Sequence, residues 1–200
     1  MRRIPRQERG QKRVNAILEA GSALIAEQGL EAVTTNSIAE RAGTSIGSLY
    51  QFFPNKDSII EAIAQAVAEE LHAERQFLPY PPNPILAVRR HVDWLHQFAM
   101  RHPALLPLLH MGYHTAHHQL IERHVHAELA HQYVDIVLHY FPQRDRETTE
   151  QQASIAVRCI AAVFNYAARQ DADGKTLAVE ELKTMLVRYL GDLHDLTSNS

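Results

Sequence analysis

The chain has 200 residues, 46% of them hydrophobic, enough to bury a core, with nine prolines and eight glycines dispersed rather than gathered in low-complexity blocks. Its one cysteine, Cys159, excludes an internal disulfide and a cysteine-pair metal site, and a reducing interior is the simplest setting. The formal net charge of −3 conceals an asymmetry: residues 1–56 carry eight Lys or Arg against five Glu, whereas residues 57–200 carry twelve against eighteen acids, so a nucleic acid would meet only the N-terminal part.

Strand signals are nearly absent and long segments repeat at helical period, which predicts an all-α protein. Residues 1–10 are too polar for a signal peptide, and no apolar run approaches the roughly 18 residues of a membrane span. A cytoplasmic protein with no membrane partner is expected.

Residues 1–9 form a basic arm with Arg2, Arg3, Arg6 and Arg9, extended by Lys12 and Arg13. Pro5 and Gly10 argue against regular helix before about residue 10. Such an arm can hold phosphates or enter a minor groove, and a solubilising tail fits it as well. A first helix is predicted from about 10 to 28, with Val14, Ile17, Leu18, Gly21, Leu24 and Ile25 at steps of three and four and Gly29 as its stop.

Thr34 to Lys56 then reads as two short helices joined by a tight turn. Thr35 is a candidate N-cap for the first, and Ile38, Ala39 and Ala42 share its inner face. Gly43 tolerates the left-handed conformation of a helix end. Thr44 or Ser45 can cap the second helix, 46–52. Ile46, Leu49 and Phe53 would face inward, and small Gly47 and Ser48 outward with Tyr50 and Gln51. Pro54 ends the unit, and Asn55 can cap a further helix from Lys56. This spacing suits a helix-turn-helix over about 34–53, with its second helix in a DNA major groove; it also suits an ordinary helical hairpin.

The residues add to the spacing. The run Ile-Ala-Glu-Arg-Ala-Gly-Thr-Ser-Ile-Gly-Ser-Leu-Tyr-Gln-Phe-Phe-Pro-Asn-Lys, at 38–56, resembles the DNA-binding domain of TetR-family transcriptional regulators, over about residues 10–70. It has the glycine turn, the Gly-x-Leu-Tyr core and the Phe-Pro-x-Lys exit. One position departs: members often carry His where this chain has Phe52. The resemblance implies a regulator, a repressor by default, that binds a double-stranded DNA operator. Thr44, Ser45, Gly47, Ser48, Gln51 and Phe52 would face bases or groove wall, and Thr35, Tyr50, Lys56 and the basic arm would hold phosphates.

A helix from Lys56 to about Phe77 follows, with Ile60, Ile63, Ala64, Val67 and Leu71 in one stripe. At 1.5 Å per residue it spans about 33 Å, long enough to link a reading head to a separate body. Residues 78–84 hold four prolines, and the domain boundary is set near them: a DNA-binding domain over 10–70 and a helical body over 71–200.

Helical segments are expected in the body at 85–101, 115–140, 147–170 and 176–194, with a turn at 171–174. The resemblance implies that the body binds a small-molecule effector and forms a homodimer through its last two long helices. Ile155, Cys159, Val163 and Tyr166 could cross a symmetry axis, and an internal core face would show the same period. Trp94, Phe98, Met111, Tyr113, Tyr133, Phe164 and Tyr166 are candidate ligand contacts, although each also suits a core, and Asn165 is a candidate polar contact.

All thirteen His lie at or after His72, and His114, His117 and His118 would share a helical face. Their i, i+4 spacing can hold zinc, which makes a His-rich metal-binding protein or a metal or haem sensor the alternative reading; a polar helix in a His-rich composition also accounts for it. No cofactor is required by any motif. Catalysis finds no support: there is no Gly-rich phosphate loop, no Gly-x-Ser-x-Gly elbow and no His-Glu-x-x-His, and Cys159 sits in an alanine-rich apolar stretch.

Overall fold

The computed structural model describes residues 6–109 and 118–195. Every regular element among them is helical: α1 (Arg6–Gln28), α2 (Thr35–Arg41), α3 (Ile46–Tyr50), α4 (Lys56–Arg75), α5 (Pro84–Arg101), α6 (Leu105–Leu109), α7 (His118–Ile121), a π-helical turn (Glu122–His126), α8 (Ala127–Tyr140), α9 (Arg146–Ala167) and α10 (Ala172–Asp195). The all-α expectation holds.

The helices fall into two compact units. The first comprises residues 1–69 and 102–124, the second 70–101 and 125–200. By its contacts α6 groups with the N-terminal helices, α1 packing on it.

In the first unit α1 packs on α2 and α2 on α3. Ile17, Leu24 and Ile25 of α1, Ile38 and Ala39 of α2, Leu49 of α3 and Ile59, Ile60 and Ile63 of α4 are buried. Side chains this size each gain roughly 1.5–3 kcal/mol on burial, and their spacing on each helix is what turns these faces inward. Helix α1 begins at Arg6 and runs through Gly10, four residues earlier than expected. A single interior glycine costs a helix only about 1 kcal/mol, too little to stop one.

In the second unit α8 packs on α9, α9 on α10, α10 on α5 and α5 on α8, closing a ring of four helices. Leu95, Phe98, Leu129, Val137, Ala153, Val157, Phe164, Leu182 and Leu186 fill it. Lys183 is buried there with Asp93 and Glu180 as ion partners, so its charge is compensated.

Several boundaries differ from those read in the sequence. The turn expected at 171–174 is the start of α10: the Asp171 carboxylate accepts the Gly174 amide at 2.9 Å, and its carbonyl accepts that of Lys175 at 2.9 Å. Pro107 lies inside α6, at its third residue, where no bond to a carbonyl four residues back is lost. Of the helix expected over 115–140, residues 115–117 lie outside the described residues and the remainder is helical, with a π-helical turn at 122–126 that a 3.6-residue period does not register.

Candidate nucleic-acid interface

Helix α2 (Thr35–Arg41) is capped by Thr34 rather than by Thr35. The Thr34 hydroxyl accepts the Ser37 amide at 3.1 Å while the Ser37 hydroxyl accepts the Thr34 amide at 3.1 Å, a reciprocal capping box. Thr35 has a different partner: its hydroxyl lies 3.2 Å from that of Tyr50, joining the start of α2 to the end of α3. Gly43, at φ +61°, makes the turn. A side chain in that left-handed region is strained, which explains glycine there.

Ser45 caps α3, its hydroxyl accepting the Ser48 amide at 3.2 Å. Leu49 and Phe53 are buried, as expected. Ile46 is not: 37% of it remains exposed, so it sits at the rim of the core. A five-residue helix has only about one turn to bury, and Leu49 occupies that face. Gln51 is the C-cap residue of α3, where the helix ends two residues sooner than expected. Asn55 caps α4 as expected, accepting the Ser58 amide at 2.8 Å.

The outward face of α3 is built from little. Gly47 is exposed, and a Cβ built on it would meet nothing within 4 Å. Ser45 and Gln51 are exposed, Thr44 and Ser48 half-buried, and Tyr50 keeps half of its surface open. Phe52 is partly exposed, its ring 3.9 Å from where a Cβ on Gly10 would stand. Arg9, Lys12 and Arg13 of α1 are exposed, and Arg13 donates to the Ser48 hydroxyl at 3.4 Å. The Lys56 ammonium donates to the Glu31 carbonyl at 3.3 Å, which fixes its stem at the head of α4. Arg2 and Arg3 lie outside the described residues, as does the side chain of Arg6.

Two contacts here had no signal in local spacing. Glu27 and Arg41 form a two-pronged ion pair, at 2.5 and 2.7 Å, that ties the end of α1 to the end of α2. The hydrogen bond from Arg41 holds the Glu27 carboxyl below its usual range. The other is Arg13 with Ser48, thirty-five residues apart.

The candidate ligand residues of the body among the described residues have different surroundings. Phe98 and Phe164 are fully buried core. Trp94 packs beside Phe98, with ring centroids 5.8 Å apart, and donates its indole N–H to Glu74 at 3.1 Å. The Tyr133 hydroxyl is buried, and burial pushes its pKa up. Asn165 is half-buried and Tyr166 is 59% exposed. Met111 and Tyr113 lie outside the described residues, as do His114 and His117 and the side chain of His118. Among the described residues no three His, Cys, Asp or Glu come together as a metal site, and no helix is long and apolar enough to cross a membrane.

A glycine-turned helix pair, capped at both starts and presenting an almost side-chain-free helix face, defines a helix-turn-helix domain. Residues 17–63 match the model of bacterial regulatory proteins of the tetR family, and residues 85–193 match that of the tetracyclin repressor-like C-terminal domain. The chain belongs to the TetR family. Among curated relatives, the nucleoid occlusion factor SlmA of Glaesserella parasuis is 28% identical over 99 residues, 49% of each chain. The transcriptional repressor KstR2 of Mycobacterium tuberculosis is 34% identical over 70 residues, 34% of this chain and 35% of that one. The chain thus spans about half the length, or less, of these relatives. Among solved structures, a TetR-family transcriptional regulator from Streptomyces coelicolor superposes with a TM-score of 0.56 at 26% identity, over 90% of this chain and 98% of that one.

Proposed function

We propose that the protein is a cytoplasmic, homodimeric transcriptional repressor that a small-molecule effector releases from its operator. The observation that carries the DNA-binding part is the bare face of α3 at Gly47 and Ser48, flanked by half-exposed Tyr50 and by Arg13 of α1, which donates to the Ser48 hydroxyl. Small residues let a helix backbone approach base edges, and the flanking hydroxyls and cations suit phosphates. Two reading helices, 45–52 of each subunit, enter successive major grooves of a pseudo-palindrome.

The dimer is supported by an apolar face that one chain leaves open. Ile155 and Tyr166 of α9 are 55% and 59% exposed, with half-buried Cys159 and Val163 between them at helical spacing, and Leu177 and Met185 are exposed on α10. Such a face suits an isologous contact with a second copy. The effector acts only through its differential affinity for operator-competent and operator-incompetent states.

The test is selection of bound fragments from total genomic DNA, followed by fluorescence anisotropy on the enriched fragment at two salt concentrations. Two protomers or a multiple of two per site, with affinity falling steeply with salt, is the expected result. Failure to enrich any fragment contradicts the reading.

A further inference from the structure

The proline-rich link between α4 and α5 forms one wall of a half-open cavity of about 190 Å³ within the second unit. Its walls are Leu78, Pro79, Tyr80 and Pro81 of the link, Ala87 of α5 and Ile136 of α8. The walls are held in place. The Tyr140 hydroxyl donates to the Pro81 carbonyl at 2.5 Å, and the Tyr80 ring stacks on His139 with centroids 3.9 Å apart. Prolines and stacked rings have little freedom left to lose, so the space is largely pre-formed.

The remaining lining is cationic or donor-bearing: Arg75 at the end of α4, and Arg90 and His91 on α5. Among the described residues no Asp or Glu lines the cavity. The Arg75 guanidinium lies over the Tyr80 ring, 4.7 Å from its centroid, and donates from Nη1 to the Leu78 carbonyl at 3.1 Å. Its Nε is buried with no hydrogen-bond partner, and so is Nδ1 of His91. Leaving a buried polar atom unsatisfied is costly, and an acceptor-rich ligand group would relieve both atoms by taking a hydrogen bond from Arg75 and by selecting the Nδ1–H tautomer of His91. Burial and the nearby Arg75 charge push the His91 pKa down to about 3, so the ring is neutral and has one N–H to give.

From these features we infer that the cavity binds a small aromatic or short-chain monocarboxylate, its carboxylate on Arg75, His91 and Arg90 and its apolar body against the prolines, Ala87 and Ile136. The charge of the lining selects an anion and its two single donors suit carboxylate oxygens. The size limits the body, because a cavity of about 150 Å³ is filled by benzene. If the effector-release reading holds, this is the effector class, and the site sits at the last turn of the helix that begins at Lys56.

Calorimetry of the full chain with benzoate, hexanoate, benzamide and inorganic phosphate tests the site, and operator anisotropy with the same compounds separately tests release. Benzoate or hexanoate should bind with a Kd on the order of 0.1–1 mM, with benzamide at least about tenfold weaker. Arg75→Gln should weaken the carboxylate about tenfold or more and leave benzamide unchanged; Arg90→Gln, at an exposed position, gives the same direction without risk to the fold. Arg89→Gln, next in sequence but paired with Glu180 and outside the lining, should bind benzoate as the parent does. No carboxylate binding to 10 mM, equal binding of benzoate and benzamide, or preference for phosphate overturns the proposal. Carboxylate binding that needs Arg75 and Arg90 but leaves operator affinity unchanged supports the site and overturns only its role as the effector site.

Discussion

The hydroxyls of Thr35 and Tyr50 lie 3.2 Å apart and link the first turn of α2 to the last residue of α3. Both helices are short, seven and five residues, and neither would hold its direction alone. The pair holds the Tyr50 ring at the edge of the bare face, where half of it stays open to a phosphate. Tyr50→Phe and Thr35→Val should therefore each weaken operator binding while costing only about 0.5–1.5 kcal/mol of stability, measured by anisotropy beside urea melts. An unchanged operator Kd in both would show that the pair has no part in DNA binding.

The turn itself rests on Gly43. Placing a side chain at φ +61° costs roughly 1–2 kcal/mol, so Gly43→Ala should lower stability by about that amount, with Gly43→Asn costing less because its short polar side chain is tolerated there. A Cβ at Gly43 would meet nothing within 4 Å, so equal loss in the two variants would contradict this account.

Gly21 has a packing reason instead. A Cβ there would stand 2.9 Å from Cδ1 of Ile63, so α1 and α4 meet closely at this point. Gly21→Ala gains about 1 kcal/mol of helix propensity and loses a comparable amount as Ile63 shifts, leaving thermal stability nearly unchanged. Gly21→Leu has no such offset and should cost about 1–3 kcal/mol or more. A Leu variant as stable as the parent would contradict this packing.

Asp145 carries a pH prediction. Its carboxylate accepts the Thr148 amide and hydroxyl at 2.8 and 2.7 Å at the head of α9, and these bonds hold its pKa below the ordinary 3.8. A depressed acid pKa means that the contribution is fully present above the unfolded value, and is lost as pH falls through the folded one. Asp145→Asn keeps a capping side chain without the titration. The stability gap between the parent and this variant should be flat above about pH 5 and narrow below the ordinary carboxyl pKa. A gap that widens on acidification would show the sign to be wrong.

What the sequence made legible was whatever depends on neighbours along the chain. The Gly43 turn, the Ser45 and Asn55 caps, the burial of Leu49 and the proline break after α4 all follow from residues three or four positions apart. Thr34 and Thr35 are chemically alike as caps, and only Ser37 at the right offset from Thr34 separates them. The start of α10 was hidden because Asp171 and Gly174 spell a turn as readily as a capped first turn. Contacts between elements had no local signal at all: Glu27 with Arg41, Arg13 with Ser48, and the cavity that gathers Arg75, His91 and Ile136 from three helices. Aromatic type does not separate a core ring such as Phe98 from a lining one such as Tyr80.

The central claim is that the face of α3 reads DNA, and Gly47→Leu tests it most directly. The free chain has open space at that position, and leucine is the better helix former, so the variant should fold and dimerise at least as well as the parent. Against an operator fragment enriched by the parent protein, fluorescence anisotropy should show affinity lower by on the order of 100-fold, equivalent to about 2.7 kcal/mol, because the side chain occupies the space that bases need. Full operator affinity in a folded Gly47→Leu dimer would mean that α3 is not the reading helix.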